Sequence, residues 1–526
     1  MKSRFSYIRA VSLSLVFIML FLTFTSCSGK NKGDDETESQ PDSGYNGESV
    51  DISYNELKLP YAKFDTLDPF KAESGMNRQL ITLLYDSLFR VNKSYEPEPQ
   101  IANSYSMDGT VLEVAVKVGL SFSDGSPITS DDVAYSFDCA KKSKAYKARL
   151  SNFKECKRFD EYSVFFDLFS VDPYAPSCLD FPIVKNETVQ TKYESLADVI
   201  PPIGSGRYVL SSGNKELLTA NNSSLGSFWP QISGIKLVNV SDSTALFSSL
   251  EIGNISFAFD DLSNGAYRRA NAAETAEYQL NNFVFLGINQ DNTALADPTI
   301  RRALAAAIDR SEIVNTAYQG HASETSVPFN PVWYVLDEAG IETPKKENAL
   351  ALLESAGYNE INTYKIRNNR SNSLTFKMIV SGKNEFKMSA ARIIATELAK
   401  LNIHVTVAAL SSESFLEEYE LSHFDLCIGE INLTPNMSLA PFFREGGAAS
   451  KGIYSESAAD AYNSFIIGET GINDFIAAFN KDMPFIPLCF RKGVVACEND
   501  IKGATDAGTN DIYGNIEDWT FEQIAQ

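Results

Sequence analysis

Between Leu374 and Leu410 the hydrophobic period of the chain switches from two residues to about 3.6 and back to two. Residues 374–380 (LTFKMIV) alternate as a strand, residues 388–401 carry helical spacing, and residues 404–410 alternate again. Two strands linked through one helix form a β-α-β unit, so they should run parallel with a right-handed crossover. This predicts an α/β body.

The rest of the chain mixes the same elements. Strands are expected over residues 53–60, within 111–125 (VLEVAVKVGLSFSDG), and over 163–169, 279–288 and 424–428, with a late β pair over 484–497 (PFIPLCFRKGVVAC). Residues 77–89 place Leu80, Leu83, Leu84 and Leu88 on one helical face. Asp124–Gly125 marks a turn, and Thr129 followed by Asp132 marks a capping box before a helix through Phe137. Asp297–Pro298 opens a helix with Ile300, Leu304 and Ile308 on one side, continuing through Arg310 towards Tyr318. Another, over 347–356, stops at Gly357. With 526 residues, and about 100–200 residues per domain, two to four domains are allowed.

Composition removes several classes of function. At 44% hydrophobic and 22% charged residues the chain is neither disordered nor a multi-span membrane protein. It holds 46 basic against 68 acidic residues, a net charge of −22 that repels phosphate backbones, so no nucleic-acid partner is expected. The three histidines (His321, His404, His423) are far apart, and neither HExxH nor a Cys-x2-Cys pair occurs, so no metal site and no cofactor are expected.

The N-terminus reads as an export signal. Lys2, Arg4 and Arg9 precede a nearly continuous apolar run over residues 11–24, short for a permanent span, and Thr25, Ser26 and Cys27 follow. This resembles a bacterial lipobox cleaved before Cys27, with Phe24 where an aliphatic residue is usual; ordinary signal cleavage nearby is the alternative. Residues 1–26 would be the signal, and residues 27–50 an acidic tether too polar to fold alone. Six further cysteines follow, as bridges or as buried thiols.

Several segments then resemble, in order, the extracytoplasmic solute-binding proteins of peptide-type ABC transporters, family 5, which include oligopeptide-, dipeptide- and nickel-binding members. They are LDPF (67–70), LLYDSLFRVN (83–92), GLSFSDGSPITSDDVAYSF (119–137), PPIGSGRYVL (201–210), NFVFLGINQ (282–290), TIRRALAAAIDRSEIV (299–314), ALALLESAGY (349–358), FDLCIGE (424–430) and PFIPLCFRKGVVA (484–496). The resemblance implies a two-lobed, periplasmic-binding-protein-like (type II) α/β fold of the large cluster C type, hinged on two crossing strands. One lobe would comprise residues 50–282 plus 487–526, with an inserted subdomain, and the other residues 283–486. The hinge would lie near 283–287 and 486–490. It also implies a monomeric receptor that closes on a peptide and delivers it to ABC permease subunits, held at the outer face of the membrane by lipid on Cys27.

No residue pattern argues for catalysis. GxSxG, GxxxxGK[ST] and a strand-borne GxGxxG are missing, and acid pairs such as Asp131/Asp132 and Asp260/Asp261 arise readily among 68 carboxylates. A surface hydrolase is the remote alternative. Binding candidates come from the resemblance. The stretch after FDL carries an acidic anchor for the peptide ammonium in relatives, but here residues 429–443 (GEINLTPNMSLAPFF) contain no Asp. Glu430 takes that role beside Asn432 and Asn436, or the ligand lacks a free amino terminus, or Glu430 merely faces solvent at a turn. A non-peptide cargo, an oligosaccharide or a metal complex, is the competing reading. Trp333 and Tyr334 suit stacking from a loop, or core packing. Ser205, Gly206 and Arg207 offer donors to a carboxylate, or form a structural turn. Ser74 and Asn77 would sit near the cleft mouth.

Overall fold

The computed structural model describes residues 56–223, 230–267, 273–339, 348–369, 371–444, 446–508 and 511–522. Cys27, the apolar run before it and the tether lie outside them.

The β-α-β unit organises a seven-stranded mixed sheet. Thr375–Ser381 runs parallel to His404–Leu410, with Thr375 opposite His404, and the helix Glu385–Ala399 connects them. That helix starts earlier than its apolar spacing suggests because Asn384 caps it, accepting the Lys387 N–H at 3.0 Å. On its other side Thr375–Ser381 pairs in parallel with Leu426–Asn432. Leu426–Asn432 pairs antiparallel with Ala273–Ile288, which in turn pairs with Phe485–Glu498. Phe257–Asp260 and Ala322–Glu324 complete the sheet along Phe485–Glu498.

Two four-stranded sheets lie earlier in the chain. One joins Leu57–Tyr61, Gly234–Asn239, Leu217–Ala220 and Tyr208–Leu210. The other joins Ala102–Asp108, Val111–Val116, Ser163–Leu168 and Phe153–Asp160. Helix Ser130–Lys142 covers the second, with the Phe137 ring 5.4 Å from Phe166 and 6.2 Å from Phe153. The Thr129–Asp132 cap is present, since Asp132 Oδ2 accepts the Thr129 N–H at 2.8 Å.

Other expected elements differ as well. The helix expected over 77–89 is Gly75–Leu84, because Tyr85 turns extended and Ser87 bridges Pro182. The long helix from Pro298 stops at Ala307: Asp309 accepts the Glu312 N–H at 3.1 Å and caps a fresh turn, so Ile308 is extended. The expected β pair over 484–497 is one strand, Phe485–Glu498, which pairs along one edge with Ala273–Ile288 and along half of the other with Phe257–Asp260 and Ala322–Glu324.

Buried side chains gather mainly into two cores. One runs from Leu57 to Leu280 and resumes at Val495; the other is built largely from Phe283 to Val494. Both long strands therefore pass from one core into the other, between Leu280 and Phe283 and between Val494 and Val495.

Candidate functional site

On Ala273–Ile288 the crossing point is where the ladder breaks, and on Phe485–Glu498 the break at Arg491 lies three residues before it. Gln279 pairs with Lys492 and Phe283 with Phe490, leaving residues 280–282 opposite Arg491 alone. Such a bulge leaves backbone groups unpaired and bends the strand, and here one side chain and one backbone amide from elsewhere take them up. Asn330 Nδ2 donates to Leu280 O at 3.1 Å, and the Leu433 N–H donates to Asn281 O at 2.9 Å.

Successive strand residues face opposite ways, so Asn281 and Asn282 open onto different faces. On the first, Asn281 Nδ2 donates to Leu433 O (2.8 Å) and Thr434 O (3.1 Å), and Asn281 Oδ1 accepts from Asn330 Nδ2 (3.1 Å). Asn330 also reaches Tyr95 Oη at 3.3 Å. The network continues from Thr434 Oγ1 to Asn436 Oδ1 (2.5 Å), and from Asn436 Nδ2 to Asp172 Oδ2 (2.7 Å). Burial pushes the Asp172 carboxyl up to about 6, against the pull of Asn436 and the Tyr174 N–H.

The second face is ionic. Glu430 Oε1 accepts from Arg491 Nε at 2.7 Å and from Asn282 Nδ2 at 3.0 Å, while Lys387 Nζ lies 2.7 Å from Oε2. Burial raises the Glu430 carboxyl, but Arg491 and Lys387 outweigh it and hold it below its ordinary range. Arg491 also donates to the Asp261 carbonyl.

The expected ligand residues are not gathered in one place. Glu430 does not face solvent at a turn: it lies on Leu426–Asn432 with both oxygens committed to protein donors. Asn432 is exposed at the end of that strand opposite Asn282, and Asn436 is buried against Asp172. Of the two readings of Trp333, stacking from a loop or core packing, the structure has core packing. Its side chain is 1% exposed, with the Tyr174 and Phe329 rings each 5.0 Å away. Tyr334 opens the helix Tyr334–Ala339, and its N–H donates to Ser94 O at 3.0 Å.

The other two groups are built into the body. Ser205 is buried and donates to Asp86 Oδ2 at 2.9 Å. At Gly206 a Cβ would come within 2.3 Å of the Leu84 carbonyl carbon, so only glycine fits. Arg207 donates to Tyr513 O, Gly514 O, Glu517 and Asp511, clasping the C-terminal segment rather than presenting donors to a ligand. Ser74 caps Gly75–Leu84, and buried Asn77 bonds the Ala62 backbone from both amide atoms. Asn281, Asn282, Asn330, Lys387, Arg491 and Asp172 were not anticipated. Two signals pointed to some of them: an Asn-Asn pair inside QLNNFVFLGI, and the charges Arg491 and Lys492 inside an apolar strand.

Two cores joined by a crossing pair of strands define the class of two-lobed solute-binding proteins. Residues 96–450 match the model of the bacterial extracellular solute-binding proteins, family 5 Middle, and the chain belongs to that family. It is 23% identical over 444 residues to the oligopeptide-binding protein AppA of Bacillus subtilis, covering 79% of each chain. To the nickel-binding protein NikA of Staphylococcus aureus it is 22% identical over 442 residues, 79% of this chain and 85% of that one. Its fold matches the structure of B. subtilis AppA in complex with a nonapeptide, with a TM-score of 0.58, 19% identity and coverage of 89% of this chain and 98% of that one. The chain is thus an extracytoplasmic binding protein of the ABC-importer type, with a two-lobed α/β fold.

Proposed function

We propose that this chain is the receptor of an ABC importer for peptides or peptide-like solutes. It captures cargo between two lobes, one built on the core that runs from Leu57 to Leu280 and resumes at Val495 and the other on the core from Phe283 to Val494, and passes it to the permease without any covalent step. The observation that carries the reading is the pair of long strands that runs from one core into the other, since hinge closure needs two bodies and few connections. Lipid on Cys27 and the tether of residues 27–50 would keep a monomeric body near its permease.

The state of Glu430 sharpens the cargo. A carboxylate already paired with Arg491 and Lys387 and bonded to Asn282 has its charge countered from within the protein and offers little to a ligand ammonium. The cargo is therefore read as a solute held without an acidic anchor for a free amino terminus. Calorimetry with matched free-amine and N-acetylated peptides tests this: saturable binding that changes less than about threefold on acetylation is expected, under 1 kcal/mol. Loss of binding on acetylation would overturn it. The competing cargo, an oligosaccharide or metal complex, is favoured by the same committed Glu430. Among the described residues no group of three His, Cys, Asp or Glu side chains could hold a metal ion, so a metal would enter as a complex. Mass spectrometry of the solute that co-purifies from native cells separates the two cargoes.

A further inference from the structure

Asn281 and Asn282 sit in the widest break of the crossing ladder, three residues against Arg491. Both side chains tether the same element. Asn281 holds the carbonyls of Leu433 and Thr434, just beyond Leu426–Asn432, and Asn282 holds Glu430 within it. Each tether is then continued to residues from the earlier part of the chain, Tyr95 among them being packed into the same core as Phe283 and Leu433. On the Asn281 face the path runs through Asn330 to Tyr95 and through Asn436 to Asp172. On the Asn282 face it runs through Glu430 and Arg491 to the Asp261 carbonyl.

A sheet that bends at a bulge compresses the contacts on its concave face and stretches those on its convex face. Tethers on opposite faces therefore resist rotation in opposite senses. We propose that Asn281 and Asn282 are opposed positioning residues, and that the balance between their tethers sets the open-to-closed ratio of the empty protein. This rests on the reading of the chain as a hinged receptor. The two faces differ in kind: neutral amides and one buried carboxyl hold the first, and a charged triad of Glu430, Arg491 and Lys387 holds the second. Either can thus be weakened without touching the other.

The test measures interlobe distance by pulsed electron spin resonance. Spin labels at Glu113→Cys and Glu417→Cys occupy exposed positions, in a background where Cys139 and Cys156 are replaced by serine. Asn281→Ala and Asn282→Ala should shift the mean distance of the empty protein in opposite directions. Asn330→Ala and Lys387→Met, which weaken the same two faces from outside the hinge strands, should reproduce the two shifts if an asparagine variant folds poorly. Shifts of the same sign, or none, overturn the proposal. A tryptic digest of casein, added to the unsubstituted labelled protein, reports separately on the function. Opposed shifts with no response to the digest would keep the proposal and sink the peptide reading. A response to the digest without opposed shifts would do the reverse.

Discussion

Asn436 Nδ2 donates a 2.7 Å hydrogen bond to Asp172 Oδ2 across 264 residues of sequence, and the receiving carboxylate is buried. Burial raises Asp172 from an ordinary 3.8 to about 6. Asp86, buried between Ser205 and Gln100, rises from 3.8 to about 6 for the same leading reason. Unfolded, both ionise near 3.8, so between about pH 4 and 6 the folded state binds more protons and stability rises as pH falls. Each group contributes on the order of 3 kcal/mol across that window. Carboxylates held low act in the opposite sense: Asp124, lowered to about 2 by Lys185 and Ser126, and Glu430 favour folding above their unfolded values and lose that effect in stronger acid. Thermal melts should therefore peak near pH 5, and Asp172→Asn should flatten the slope between pH 7 and 5. A melting temperature that climbs steadily from pH 5 to 8 would contradict this.

Glu430 is expected to act in stability before it acts in binding. Its removal leaves Arg491, whose side chain is 3% exposed, and Lys387 without their bonded carboxylate. Breaking a buried pair from one side costs about 3–5 kcal/mol, and the partial exposure of Lys387 puts Glu430→Ala near the lower figure. Urea unfolding followed by the fluorescence of buried Trp333 and Trp519 measures it. An unchanged midpoint with lost ligand affinity would assign Glu430 to the ligand instead.

The β-α-β unit and the helix caps were legible in the sequence because they depend on local period and on side chains three residues apart, as in Thr129 and Asp132. The break at Ile308 was not, because Asp309 looks like any polar residue on a helix until its carboxylate is seen capping Glu312. The junction was hidden for a different reason. Asp172, Asn330 and Arg491 acquire their roles from partners dozens to hundreds of residues away, and no local pattern encodes that distance. Trp333 illustrates the limit: the sequence left loop stacking and core packing both open, and only the Tyr174 and Phe329 rings that enclose it decide for packing.

Arg207 should prove essential to the C-terminal segment. Its guanidinium reaches the carbonyls of Tyr513 and Gly514 and the carboxylates of Asp511 and Glu517, all within 3.1 Å. Lysine offers a point charge without the planar fork, so Arg207→Lys should recover little of what Arg207→Met loses. Removing a buried multi-partner charge is expected to cost about 3 kcal/mol. Amide hydrogen exchange should accelerate over residues 511–522 more than over residues 426–432. Uniform acceleration across both would show that the clasp is not local.

The cysteines should behave as thiols and not as bridges. Cys139, Cys156, Cys178, Cys427, Cys489 and Cys497 are all unpaired, and the last four are buried. Burial pushes the thiols of Cys427 and Cys497 up to about 12, and raises those of Cys156, Cys178 and Cys489 as well. The thiolate is the species that reacts, so a thiol reagent at pH 8 should attack folded protein slowly, beginning with half-buried Cys139. After unfolding without reductant, all six should titrate in a chain that begins after Cys27. Four or fewer thiols would mean that a disulfide forms after export and that the six free thiols belong to the reduced form.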